Sequence, residues 1–190
     1  MELNKIKKGL SSQSSKTFAV VGLVLGIIAT ALMVIMIPIL AAIAIPNFLQ
    51  AQSRSKVSRT KAELRMCAVA LESYYVDNNA YPQPNYTLHG NSILPHILTT
   101  PIAYITQIPG DPFSADKKEP YWYYTGIAII EEQERPFWIL TGSGPDQKRD
   151  IDVTKYNPQY PDWHESYLIL KSYDPTNGTT SLGDVFRTGP

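Results

Sequence analysis

F-A-V-V-G-L-V-L-G-I-I-A-T-A-L-M-V-I-M-I-P-I-L-A-A-I-A-I, Phe18 to Ile45, is an unbroken apolar run whose only polar side chain is Thr30. A bilayer core about 30 Å thick needs ~20 helical residues to cross. At ~1.5 Å per residue this run reaches ~42 Å as a helix, enough to span with length to spare. Sixteen of its 28 residues are Leu, Ile, Val or Phe. At ~0.3–0.6 kcal/mol each near the helix centre, insertion is favoured by roughly 5–10 kcal/mol. A secretory signal has an apolar core of only ~7–15 residues, so Ala42-Ile43-Ala44 lies too far along to be its cleavage site. A buried core helix is excluded in turn, because too little chain remains to surround an all-apolar helix of this length. The run reads as a single membrane span.

Outward from the span, the chain divides into four parts. Residues 1–17 form a polar, Lys/Ser-rich tail that is expected to be unstructured. Residues 18–45 are the transmembrane helix, with Pro38 inside it and Pro46 closing it, so a kink is expected at one or both. Residues 46–79 form a second, amphipathic helix, the stem. Val57, Leu64, Ala68, Leu71 and Tyr75 recur on one face, and Lys56, Arg59, Glu63 and Glu72 are expected in water on the other. Asn78-Asn79 and Pro82 stop this helix. Residues 80–190 read as a loop-rich head, consistent with 15 prolines and 12 tyrosines in the chain.

Within the head, Tyr81 to Pro120 is proline-punctuated and predicts a packed loop region. Strands are expected over Tyr121–Ile130, Pro136–Thr141 and Ser166–Lys171. Glu131-Glu132-Gln133-Glu134 marks the hairpin tip between the first two, and Asp174-Pro175-Thr176-Asn177-Gly178 marks a turn. The expected fold class is α+β: a long N-terminal helix, transmembrane then amphipathic, packed on a small antiparallel β-sheet.

Lys+Arg and Asp+Glu balance at 17 each, but unevenly: nine cations face two acids up to Arg65, then eight face fifteen. The acidic head lacks the positive footprint that phosphate backbones require, so nucleic-acid binding is not expected. Orientation stays open on charge alone. Lys5, Lys7, Lys8 and Lys16 precede the span, while Arg54, Lys56, Arg59, Lys61 and Arg65 follow it.

No catalytic set emerges. Gly142-Ser143-Gly144 lacks the spacing of a nucleophile elbow, and His89, His96 and His164 lack metal-ligand spacing. Cys67 is the only cysteine and reads as a packed thiol. Tyr121-Trp122-Tyr123-Tyr124 with Trp138 reads either as sheet core and rim or as a carbohydrate platform. In G-S-G-P-D-Q-K-R-D-I-D (Gly142–Asp152), Asp146, Asp150 and Asp152 supply hard oxygens of the kind Ca²⁺ takes, though not at EF-hand spacing. The alternative is a solvated turn neutralised by Lys148 and Arg149.

The phrase Ile43-Ala44-Ile45-Pro46-Asn47-Phe48, the Q-A-Q-S-R after it, I-P-G-D-P-F (Ile108–Phe113) and the closing Y-D-P-T-N-G-T resemble the type IV pilin-like family. The chain is most similar to the major pseudopilins of type II secretion, over roughly residues 40–190. The resemblance implies a pilin-like fold and a non-enzymatic subunit of a type II secretion or type IV pilus-like system. It also implies stem contacts with like subunits, secretion-machinery partners, and single-pass anchoring in the bacterial inner membrane. The N-terminus would be cytoplasmic and the head periplasmic or extracellular. Major pseudopilins bind calcium near the Gly142–Asp152 loop, which implies Asp146 and Asp152 as ligands and Asp150 as a third. The family's processing motif is missing: counting back from Pro46, its Gly, Phe and Glu would fall at Val24, Leu25 and Ala29. Cleavage there is therefore not expected. An uncleaved, membrane-anchored binding module that never polymerises is the alternative reading.

Overall fold

A computed structural model describes residues 13–87, 90–116, 119–156, 158–177 and 182–190. Two compact units divide the chain, Met1–Phe48 and Leu49–Pro190. The described part of the first is one helix; the second holds the sheet.

Helix α1 runs without interruption over Gln13–Asn78, through both Pro38 and Pro46. This corrects the expectation that Pro46 ends a first helix and that the tail is irregular up to Thr17. Proline removes one donor, leaving the carbonyls of Val34 and Ala42 without their usual helical partners, and that loss is local. Leu, Ile and Ala on both sides keep the helix going, and such interruptions are tolerated in lipid-spanning helices. α1 stops at Asn78. Asn79 follows with φ 54°, and its N–H bonds to the Tyr75 carbonyl at 2.7 Å.

In the second unit the strands β1 (Asn85–Tyr86), β2 (Ser92–Ile93), β3 (Trp122–Ile130), β4 (Gln133–Gly142) and β5 (Val185–Gly189) form one antiparallel sheet in sequential order. The β3 and β4 expectations hold with slightly different ends. β1 and β2 lie hidden in the proline-rich segment, because two-residue strands carry no period. Ser166–Lys171 is not a strand: it is the end of α2, Pro161–Lys171. Pro161 stands in the first helical turn, where its missing N–H costs nothing, and Lys171 lies in the last turn where a cation suits the helix dipole.

One face of the sheet packs on α1. Val57, Leu64, Ala68 and Leu71 are buried as expected, joined by Thr60 and Cys67, against Tyr121, Tyr123, Trp138, Leu140 and Val185. The other face carries a second cluster of Ile139, Ile151, Val153 and Leu168, with Trp122, Tyr124 and Phe186 packed on it. Pro136 interrupts neither ladder. In the β3–β4 register its nitrogen points to the β5 side, and the β4–β5 pairing begins only at Trp138.

Glu63 and Glu72 are not in open water, as expected, but reach the sheet. Glu63 accepts from the Tyr121 hydroxyl at 2.5 Å and from Arg59 at 2.7 Å. Glu72 accepts from Trp138 Nε1 at 2.8 Å and from the Tyr81 hydroxyl at 3.1 Å. A helix stripe wide enough to cover the sheet ends in residues at its rim. There a carboxylate satisfies aromatic N–H and O–H groups that burial would otherwise orphan.

Candidate functional site

From Phe18 to Ile45, α1 carries apolar residues with Thr30 as the one polar side chain. Leu23, Ile27, Val34, Ile35 and Ile43 are all at least half exposed, and the most apolar stretch has a mean hydropathy of 2.9 with none of it buried. The helix is long and apolar enough to cross a membrane. Gly22, Gly26 and Thr30 share one face at four-residue spacing. A Cβ on either glycine would meet nothing within 4 Å, so the backbone is open to a neighbour there. Thr30 donates its hydroxyl to the Gly26 carbonyl at 2.8 Å, which removes the polar cost of placing it in lipid.

In the second unit the acidic loop between β4 and α2 holds the three expected ligands, and each has different surroundings. Asp146 Oδ1 accepts from Lys148 N at 3.2 Å, while its buried Oδ2 has no partner among the described residues. Asp150 Oδ2 accepts from Gly183 N at 3.2 Å. Asp152 caps the 3₁₀ turn Val153–Lys155: its Oδ1 accepts from Thr154 N at 3.1 Å and from the Thr154 hydroxyl at 2.6 Å. Its Oδ2 pairs with Lys155 at 3.4 Å. These bonds, the Thr154 hydroxyl foremost, hold the Asp152 carboxyl below its usual range. Among the described residues no three His, Cys, Asp or Glu side chains gather to hold a metal ion. Asp152 thus spends its bonds on its own turn and on Lys155.

Sequence reasoning missed Asp184. It is buried at the start of β5, and its Oδ2 accepts from Asp150 N at 3.0 Å and Ile151 N at 2.9 Å. Its Oδ1 has no partner among the described residues. Burial pushes its carboxyl up to about 7, with Asp150 adding to the rise and the two backbone N–H groups opposing it. Gly183 and Gly144 make this closeness possible. A Cβ on Gly144 would lie 1.9 Å from the Gly183 carbonyl oxygen and 3.4 Å from Asp146 Oδ1. Gly183 itself has φ 109°, open only to glycine.

Arg149, one of the two cations read as able to neutralise the acidic loop, pairs with Asp111 and Glu119 and also acts on Asp184. Its guanidinium lies over the Trp122 ring, 4.4 Å from the centroid, and 3.6 Å from both Asp111 and Glu119. Asp111 is fully buried and accepts from Ser143 N at 2.6 Å and Phe113 N at 2.9 Å. The I-P-G-D-P-F phrase thus ties the loop before β3 to the end of β4. This is a structural clasp: a planar cation matched to a ring face and two carboxylates.

The aromatic platform is not formed. Tyr121, Tyr123 and Trp138 are buried against α1, while Trp122 and Tyr124 pack on the opposite cluster. Cys67 is buried and its thiol is pushed up to about 12 by desolvation, so it stays protonated and unreactive. His96 sits exposed on a 3₁₀ turn, His89 lies outside the described residues, and the His164 side chain is likewise not described.

In the second unit the stem of α1 packs on a small antiparallel sheet, an α+β arrangement consistent with a pilin-like fold. Residues 47–127, less than half of the chain, match the family model described as "Type II secretion system (T2SS), protein G", a likeness that covers the stem, the loop region and the first six residues of β3. No curated protein matches the chain, and no solved structure matches it either.

Proposed function

We propose that this chain is a non-enzymatic structural subunit of a type II secretion or type IV pilus-like system. α1 anchors it in the bacterial inner membrane with the N-terminus cytoplasmic and the head periplasmic or extracellular. The observation that carries this reading is one helix with two surfaces. From Phe18 to Leu49 its large apolar side chains are exposed, and from Val57 to Leu71 the same helix supplies core residues of the family-matched unit. The exposed part has one use in lipid, which is to lie against lipid or against like helices, and open backbone at Gly22 and Gly26 favours close approach. Partners would be like subunits through the stem and the rest of the secretion machinery.

Met33→Cys in a Cys67→Ser background tests the reading, because Met33 lies seven residues beyond Gly26 on the same helix face and is exposed. Oxidative crosslinking in native membranes is expected to give dimers and higher species. Monomer alone, repeated at other stem positions, selects the second reading: a permanently anchored pilin-fold binding module. One observation favours that second reading. Ala29 stands where the family has a glutamate, so α1 lacks a charged device to set register between neighbouring helices.

Calcium binding at the acidic loop is proposed with an altered ligand set. The buried, unpartnered oxygens of Asp146 and Asp184 support it, whereas Asp152 is committed to its turn and to Lys155. When bound, the ion would supply positive charge to the one oxygen of each carboxylate that lacks a donor among the described residues.

A further inference from the structure

β5 closes the sheet and pairs with a neighbour on one side only. In an antiparallel ladder, alternate residues turn N–H and C=O to the same side. The β3–β4 hairpin closes at Ile130 and Gln133, so odd-numbered residues of β4 bond to β3 and even-numbered ones bond to β5. Trp138, Leu140 and Gly142 therefore take Gly189, Arg187 and Val185. Phe186 and Thr188 must point their N–H and C=O groups outward. Asp184 confirms the phase, since its N–H and C=O both bond away from β4, to Lys171 and Tyr173. No described residue takes the four outward groups of Phe186 and Thr188.

Beside this free edge lies a groove walled by Val69, Ser73 and Val76 of α1 and by Arg187, Thr188 and Pro190. Val69 is 66% and Val76 80% exposed, unusual for valines inside a folded unit. Arg187 is exposed and has no acidic partner among the described residues. Glu72 also reaches the groove, but Trp138 and Tyr81 already occupy its carboxylate. The edge thus presents backbone donors and acceptors, an apolar wall and one unmatched cation.

We propose that β5 accepts an extended, acidic peptide segment of a partner protein as a sixth strand. Its backbone bonds to Phe186 and Thr188, an Asp or Glu stands opposite Arg187, and its same-face neighbours cover Val69 and Val76. Like charges directly opposite on paired strands are destabilising. A second copy pairing its own β5 with Phe186 opposite Thr188 would set Arg187 against Arg187, so the charge selects an acidic segment over self-association.

The probe is the acetylated, amidated peptide Val-Thr-Asp-Thr-Val-Thr, whose valines share the face of the Asp, with a Lys-for-Asp counterpart, added to the full chain in detergent micelles. Amide hydrogen exchange is followed by NMR. The acidic peptide is expected to slow exchange at Phe186 and Thr188 and to bind about tenfold tighter than its Lys counterpart. Arg187→Glu is expected to reverse that preference. Thr188→Pro removes an outward donor without touching the β4 ladder and is expected to weaken binding several-fold. Arg187→Glu carries the test alone if the proline variant does not fold, because that side chain is exposed. Unchanged exchange at Phe186 and Thr188 under saturating peptide overturns the proposal. So does a peptide preference that ignores Arg187→Glu, or protection of those amides by dimerisation without peptide.

Discussion

Trp138 donates its indole N–H to Glu72 at 2.8 Å, joining the centre of β4 to α1 across the edge of the core. The indole reaches there because Gly189 stands opposite it on β5; a Cβ on that glycine would fall 2.1 Å from the ring. Glu72→Ala strands the N–H of a side chain that is 2% exposed, and also frees the Tyr81 hydroxyl. The expected loss is about 1–3 kcal/mol, read by denaturant melts. Glu72→Gln keeps an acceptor and is expected to lose much less. Gly189→Ala displaces the indole and is expected to cost about 1–3 kcal/mol by overpacking. Equal behaviour of the Ala and Gln variants at position 72 would show that the hydrogen bond contributes nothing.

The β3–β4 hairpin turns through Glu131 and Glu132, both at positive φ (52° and 63°). A two-residue hairpin of type I′ needs this geometry at both central positions, and Asn-Gly supplies it with least strain. Glu131→Asn with Glu132→Gly is expected to raise stability by about 0.5–1 kcal/mol, since it trades two strained side chains for tolerant ones. The exposed Glu131–Arg135 pair at 3.8 Å that it removes is worth little. A lower melting midpoint in the double variant would count against the strained-turn assignment.

Most of the architecture is written in local patterns, and the places where sequence misleads are local too. The span is legible because Phe18–Ile45 has no charge, and the Val57–Leu71 stripe because its period matches a helix with one buried face. Continuity through Pro46 is not legible, because a proline rule describes one lost bond and not the helix around it. Ser166–Lys171 misleads because a short apolar run has no decisive period. In the structure Leu168 is buried while Ile169 and Leu170 are 70% and 81% exposed, which is helical and not alternating. Asp184 escapes because the sheet, not the sequence, brings it to Asp150. Glu63 and Glu72 escape because charge reads as exposure, whereas each meets a tyrosine or tryptophan from a distant strand.

The first unit makes a prediction about crosslinking. Gly26 leaves open backbone on the face it shares with Met33, seven residues on. Gly26→Ile fills that approach with a branched side chain while keeping the helix apolar. The Met33→Cys crosslink is expected to fall several-fold in the double variant, with membrane insertion unchanged. Crosslinking at the original level would place the helix contact on another face.

Calcium is tested by melting the full chain in detergent with excess Ca²⁺ and with chelator. A rise of the midpoint with calcium, reduced by Asp146→Asn and untouched by Asp152→Asn, is the expected outcome. An identical midpoint in both buffers would show that the loop takes no calcium. A loss on Asp152→Asn that matches the loss on Asp146→Asn restores the ligand set read from sequence.

Asp184 sets a pH dependence that should be measured in chelator. Its carboxyl titrates near 7 when folded, raised from 3.8 chiefly by burial. Because the folded pKa lies above the unfolded one, the folded state holds more protons between those values. Stability therefore falls as pH rises from about 4 through 7 and levels off above that window. Asp152 and Asp174 run the other way: their depressed carboxyls, bonded by Thr154 and Thr176, contribute stability that is lost only as pH drops below the ordinary carboxylate range. Between pH 5 and 8 the Asp184 slope should dominate. A tenfold difference in proton affinity between the folded and unfolded chain corresponds to ~1.4 kcal/mol, so a drop of a few kcal/mol at pH 8 relative to pH 5 is expected. Asp184→Asn keeps an acceptor for Asp150 N and Ile151 N but cannot ionise. It should flatten the profile and match or exceed the unsubstituted chain at pH 8. A slope that survives the substitution would trace the effect to another group.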